Sequence, residues 1–414
     1  MSVIEAPPAQ APRRPAVWLR DNLFGSRASA LVTLVLGGTV VLVLVLAAEW
    51  AVTRARWGVI TANFRLLLIY IYPLEQAWRI WLVLALLSLL GGLAATHSRI
   101  GPLRTLAVWL IAGQLLLAGL AGLSAFEATL AGDRAVRADE LIVIAGGLLV
   151  SAGIGFLALT LGRAIRLPNR LIGAAWLLWL PLALVLLHGI GRGPLPAVPT
   201  NLWGGLLLTF LLATASITLS FPFGVLLALG RRSDLPVIKW LSTAFIELVR
   251  AVPLVTILFL AALLLPFFLP GGIRPDQIYR AIAGLTLFSA AYVAENVRGG
   301  LQAIPSGQIE AAHAIGLNAI QTNLYVVLPQ ALRSVIPANV GLFISLLKDT
   351  TLVAIAGTGL LEILGVGQSI LAQPQWLGAY LEVYLFISAV FFVMCYTMSQ
   401  ASYRLEAAMG VGTR

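Results

Sequence analysis

Residues 299–333 read GGLQAIPSGQIEAAHAIGLNAIQTNLYVVLPQALR and lie between the apolar runs 281–294 and 334–361. Ser306, after Pro305, is a fair N-cap, and Gly316 supplies the left-handed residue that ends a helix, so 307–315 reads as one short helix. Asn318 and Gln321 have capping-box spacing for a second, stopped near Pro329. Such a hairpin would expose Ala311, Ala312, Ala314, Ile315, Leu317 and Ile320, with Glu310 and His313 as its titratable company. Small apolar side chains facing water imply a docking partner, and one carboxylate can orient that partner through a basic groove. The competing reading is a hairpin packed under its own bundle.

Outward from this loop the chain is apolar. Of its 414 residues 60% are hydrophobic and 11% charged, where soluble domains carry about 25% charged residues. A mean hydropathy of +0.95 needs lipid as the solvent for most side chains, which excludes a secreted, fibrous or disordered protein. A bilayer core about 30 Å thick takes roughly 20 apolar residues per helix. Runs of suitable length cover 28–48, 80–96, 105–126, 141–162, 171–187, 201–230, 251–273 and 383–403. Residues 281–294, before Glu295, and 334–361, interrupted by Lys348 and Asp349, bring the expected spans to ten. The fold class is an all-α integral membrane protein.

Lys and Arg concentrate in cytoplasmic loops. With the N-terminus inside, seventeen of the 27 basic residues fall on cytoplasmic segments and nine outside, with Lys348 within a span. Both termini are then cytoplasmic, the hairpin 299–333 faces the cytoplasm, and 405–414 is a cytoplasmic tail. Residues 1–27, with four prolines and four arginines, read as a basic arm at the membrane surface. The 21-residue run after it is too long for a signal peptide core, which spans about 7–15 residues. Residues 49–79, with Trp50, Trp57, Tyr70, Tyr72 and Trp78, read as a periplasmic segment along the outer surface. Gly357, Gly359, Gly365 and Gly367 read as helix breaks near the outer face, where a delivering protein would dock.

Charges inside a membrane are functional candidates. Lys348 lies about 16 Å along a helix beyond Pro337, and Asp349 beside it points about 100° away, so each would pair with a different helix or face the solute path, together with Thr350. Glu295 and Arg298, one turn apart, can bridge on one helix face, as can Glu247 and Arg250. The single cysteine, Cys395, rules out an intrachain disulfide, and His97, His188 and His313 are too scattered for a metal site. The net charge of +10 sits in loops flanking spans and does not call for nucleic acid.

Glu310-Ala311-Ala312, Gly316 and Leu328-Pro329 at their fixed spacing resemble the EAA pattern of membrane subunits of bacterial ABC importers, with Val326 where the pattern usually has Ile. In that family the hairpin is the coupling helix that enters a cleft of the ATPase, which assigns Glu310, Ala311, Ala312 and Gly316 to docking. IELVRAVPL (246–254), AAYVAENVRGGLQAIPSGQIEAA (290–312) and LLKDTTLVAIAG (346–357) resemble the polar amino-acid permeases. The resemblance implies a five-helix type I permease core over 201–404. The five-span extension 28–200, with FRLLLIYIYPLEQAWRIW (64–81), and QPQWLGAY (373–380) resemble the long permeases of the general L-amino-acid importer group. The resemblance also implies ATPase subunits carrying ATP and Mg, a second permease, a periplasmic amino-acid-binding protein and an amino-acid cargo, in the bacterial inner membrane.

Neither Lys239 nor Lys348 follows a glycine-rich phosphate loop, so an ATPase would be a separate chain. A self-contained ion-coupled transporter would be built from two related halves, yet nothing in 1–200 echoes 290–329. An intramembrane enzyme needs a nucleophile beside its base, and Ser289 has no histidine in its span. The chain reads as a transport subunit and not as an enzyme.

Overall fold

The structure is a computed structural model that describes residues 19, 21–97, 101–131, 137–165, 167–191, 193, 195–270 and 273–409. Most of the expected arm 1–27 and the end of the tail 405–414 lie outside the described residues. Among those described there is no strand, and an isolated parallel bridge joins Gly205 and Glu362. The chain divides into two units at Trp57 and Gly58.

The first unit is α1, Arg27–Thr53. Ser26 caps it by accepting from the Ser29 N–H at 3.1 Å, and 27 residues reach about 40 Å, enough for a bilayer. None of its residues is buried. Trp57 donates to the Ala51 carbonyl at 2.8 Å and meets Trp50 edge-on, an amphipathic pair suited to an interface.

The second unit opens with α2 (Gly58–Ala62) and α3 (Phe64–Ile69), then α4 (Trp78–His97), α5 (Gly101–Ala131), α6 (Ala138–Leu161) and α7 (Asn169–His188). It continues with α8 (Gly205–Arg231), α9 (Pro236–Ala251), α10 (Leu254–Phe268) and α11 (Gln277–Gln302). The hairpin helix α12 (Ser306–Ala314) leads into α13 (Ala319–Asp349), followed by α14 (Leu352–Ile355), α15 (Ile363–Leu371) and α16 (Tyr380–Met409). Eight described helices, α1 among them, are long and apolar enough to cross a membrane, or nine with the bent pair α9–α10. The run 281–294 forms the middle of the 26-residue α11, which carries polar residues at both ends and is not in that count.

Three sequence expectations change. Residues 58–72 do not lie along a surface: Val59, Phe64, Leu67, Ile69 and Tyr72 are buried in the main core, because the run FRLLLIYIY has no polar face to offer water. The Tyr72 hydroxyl donates to the Leu187 carbonyl at 2.9 Å, and burial pushes its phenol up to about 12, so it keeps that proton. The expected span 334–361 ends at Asp349, after which α14 and a loop intervene. The break falls at Gly357 and Gly359, with φ of +64° and +71°. Gly365 and Gly367 instead lie inside α15, where a Cβ on Gly367 would sit 2.6 Å from Ile387 Cδ1. They are packing glycines.

Prolines decide where the helices bend. A residue before proline is driven out of the helical region, and Val252, at φ −113° and ψ 137°, ends α9 ahead of Pro253. The next helix turns away by 111°, so the run 251–273 is no straight span. Two π turns, Leu260–Leu264 and Thr322–Val327, each stop two residues before a proline, Pro266 and Pro329. A proline ring clashes with the carbonyl four residues back, and a widened π turn makes room for it. Pro329 therefore does not stop the second hairpin helix, which runs on as α13 to Asp349.

Helix α3 and the segment before α15 meet at the start of α8. Gly205 adopts φ +62°, its N–H donates to Leu361 O at 2.9 Å, and a Cβ there would lie 2.5 Å from Leu67 O. Thr209 accepts from the Ile363 N–H at 3.1 Å, and the fully buried Glu362 caps α15 through the N–H groups of Leu364 and Gly365. Gly205→Ala is expected to cost about 1–2 kcal/mol for the left-handed backbone and about 1–3 kcal/mol for the overpacked neighbour. The measurement is the thermal inactivation of the detergent-purified chain, which should shift down by several degrees.

Candidate docking hairpin and its charge network

Helix α12 begins with Ser306 as its first residue, not its cap: Pro305 holds the N-cap position, and no side chain caps the end. Its other end closes as the sequence predicts. Gly316 takes φ +85°, its N–H donates to His313 O at 3.0 Å, and the Leu317 N–H reaches Ala312 O at 3.1 Å. Asn318 then forms the full capping box, accepting from the Gln321 N–H at 2.9 Å while its own N–H donates to the Gln321 side chain at 3.0 Å. These local bonds fix the hairpin's angle before any tertiary contact is made.

Glu310, Ala311 and Gly316 are exposed, and Ile315 and Ile320 each keep 78% of their surface open. Ala312, expected on that surface, is only 3% exposed. It falls on the face of α12 turned toward the π segment of the returning helix, where a small side chain lets the two arms close. Leu317 is half-buried. Glu310 makes no hydrogen bond or ion pair among the described residues, so its charge stays available.

At the root of the hairpin five charged side chains from three helices meet. Arg298 donates through Nε to both carboxylate oxygens of Glu295 at 3.0 Å, as their spacing predicts. Glu247 and Arg250 do not bridge each other. Glu247 pairs with Arg231 at 2.9 Å, and Arg250 and Arg231 approach Glu295 Oε2 at 3.4 and 3.5 Å. Helix α9 packs against both α8 and α11, and its charges find partners across those contacts. Arg250 also lies over the Tyr292 ring, 5.6 Å from its centroid. One carboxylate thus faces three guanidinium groups, tying α8, α9 and α11 together where the hairpin leaves the bundle.

Lys348 and Asp349 end α13 and lie in no ion pair among the described residues. Lys348 is exposed on this chain and Asp349 half-buried, so the expected pairing of each with another helix is not formed. Thr350, fully buried, bonds back to the Leu347 carbonyl at 2.7 Å. Sequence reasoning missed α9 as an element. Pro236 at its first turn and the apolar spacing of Val237, Trp240, Leu241 and Leu248 are the signals that would have found it. Among the described residues no group of three His, Cys, Asp or Glu is placed to hold a metal.

A bundle of helices long and apolar enough to cross a membrane, with a partly apolar hairpin exposed at one end, is the architecture of a multi-pass membrane protein. Residues 220–409 match the family described as binding-protein-dependent transport system inner membrane component. The glutamate/glutamine/aspartate/asparagine transport system permease protein BztC of Rhodobacter capsulatus is 37% identical over 418 residues, covering 94% of this chain and 92% of that protein. The inner membrane amino-acid ABC transporter permease protein YhdY of Escherichia coli K12 is 44% identical over 239 residues, 58% of this chain and 65% of that one. A solved amino acid ABC transporter with histidines aligns over 49% of this chain and 92% of its own, at 31% identity and a TM-score of 0.44. The chain belongs to this family of permease subunits, as a multi-pass inner-membrane transport protein and not an enzyme.

Proposed function

We propose that the chain is the permease subunit of an ATP-driven importer of amino acids, which docks its ATPase through Glu310, Ala311 and Gly316 of the hairpin, with Ala312 closing the hairpin behind them. ATP and Mg belong to the ATPase. The observation that carries this reading is the exposed Glu310, in no ion pair among the described residues, on a hairpin whose Ile315 and Ile320 stay open. The relatives' amino-acid names supply the cargo class. Residues 201–404, from α8 into α16, serve as the permease core, and 28–200 as an extension that the relative matched along 94% of this chain supports.

Lys348 and Asp349 are assigned to the solute path, where an ammonium and a carboxylate in no ion pair among the described residues suit a zwitterion, and Thr350, buried behind them, is assigned a structural role. Glu295 and Arg298 are assigned a structural role beneath the hairpin. A second permease, a periplasmic binding protein and membrane lipid complete the assembly, with both termini and the hairpin on the cytoplasmic side. Affinity purification of the tagged chain in mild detergent, followed by mass spectrometry, tests the assignment. An ATPase subunit and a second permease in stoichiometric amounts are expected. A chain that purifies alone and transports in liposomes without ATP would overturn it.

A further inference from the structure

Helix α9 has three faces at 100° per residue. On the first, Ser242 and Ile246 are buried against the bundle. On the second lie Lys239, Thr243, Glu247 and Arg250, the last two held in the charge network. On the third, Val237, Trp240, Leu241 and Leu248 line up at helical spacing, and they remain 69%, 69%, 55% and 68% exposed. An apolar stripe of this length facing water would be costly.

Its direction narrows what covers it. The turn at Val252–Pro253 sets α9 within about 20° of perpendicular to α10, the more apolar half of a bent pair that qualifies as one candidate span. A helix perpendicular to a crossing segment runs along the membrane surface. Ion pairs to Arg231, at the end of α8, and to Glu295, near the end of α11, pin it at the hairpin end of the bundle. The segment from Arg231 to Ala251 carries Arg231, Arg232, Lys239 and Arg250 against Asp234 and Glu247, a positive balance that suits anionic headgroups. Trp240 is a residue of the membrane interface.

We propose that α9 is an interfacial helix whose stripe Val237, Trp240, Leu241 and Leu248 rests in the lipid leaflet at the hairpin end, with Lys239 at the headgroup phosphates. Glu247 and Arg250 on its polar face then join this lipid-seated helix to Arg231 and Glu295 at the hairpin's root. The assignment rests on the fold alone and not on the cargo or the ATPase.

The test uses the full-length chain with Cys395→Ser, the one native cysteine, and single nitroxide labels at Val237→Cys, Leu241→Cys, Leu248→Cys and Lys239→Cys. The chain is placed in vesicles of mixed zwitterionic and anionic phospholipid, and collisions with oxygen and with a water-soluble nickel chelate are read at each label. The three stripe labels are expected to favour oxygen and to report a depth of about 5–10 Å below the headgroups, while the Lys239 label favours nickel. Stripe labels reached by neither reagent would mean that a protein covers the stripe, and stripe labels reached freely by nickel would mean that water does. Either result overturns the proposal and leaves the docking role of the hairpin standing.

Discussion

Glu310→Arg is expected to abolish ATP-driven uptake while the chain still inserts and accumulates in the membrane. Glu310 is exposed near the middle of α12 and has no partner among the described residues, so its removal leaves no orphan within this chain. The hairpin keeps its closing bonds at Gly316 and its capping box at Asn318, neither of which involves Glu310. The loss is expected to arise across the proposed interface with the ATPase. A carboxylate set against a basic groove becomes a guanidinium facing like charge, and a unit pair at about 4 Å is worth about 4 kcal/mol at an effective dielectric near 20. Half of that already weakens ATPase binding by about 30-fold, at 1.4 kcal/mol per decade. Glu310→Gln, which removes attraction without adding repulsion, should fall between parent and Glu310→Arg. The readouts are the ratio of ATPase to permease after purification and uptake into proteoliposomes. Unchanged uptake by the Glu310→Arg chain would end the docking role.

The hairpin was legible in the sequence because its geometry is made by neighbours. Gly316 needs only its own missing Cβ to take φ +85°, and Asn318 and Gln321 reach one another three residues apart. The apolar runs were legible for a similar reason, since lipid imposes a length and a composition on each span separately. Features that depend on residues far apart were misread. The three-residue spacing of Glu247 and Arg250 matches that of Glu295 and Arg298, yet only the second pair closes on itself. What separates them is the guanidinium of Arg231, brought up by α8 from outside either local sequence. Gly365 and Gly367 look like loop glycines in a row of four, and only the approach of α16 and α14 turns them into packing positions. Pro329 looks like a stop until the π turn before it is seen to absorb the ring. Ala312 was placed on the outside of a helix whose partner strand of backbone, the returning arm, had not yet been located.

Glu295→Gln should destabilise the hairpin end of the bundle by about 2–4 kcal/mol, between the small worth of exposed ion pairs and the cost of breaking a buried one. Its carboxylate is the shared counter-charge of Arg298, Arg250 and Arg231, and these side chains keep between 23% and 32% of their surface open, so solvent screens part of the effect. With glutamine in its place three guanidinium groups remain around a neutral amide, and Glu247 alone offsets them from the far side of Arg231. The repulsion has a direction. It separates α9 from α11, because Arg250 and Arg298 belong to those two helices, and it loosens the segment from which the hairpin departs. Thermal inactivation in detergent should therefore shift down, and uptake should fall further than ATPase association does, since the hairpin's own surface is untouched. A double variant separates charge from packing. Glu295→Gln with Arg298→Gln removes one cation along with the anion, and its loss of stability should be smaller than the sum of the two single losses, the mark of a direct coupling. Strict additivity would show that Glu295 and Arg298 do not act together and that Arg298 is no part of the network.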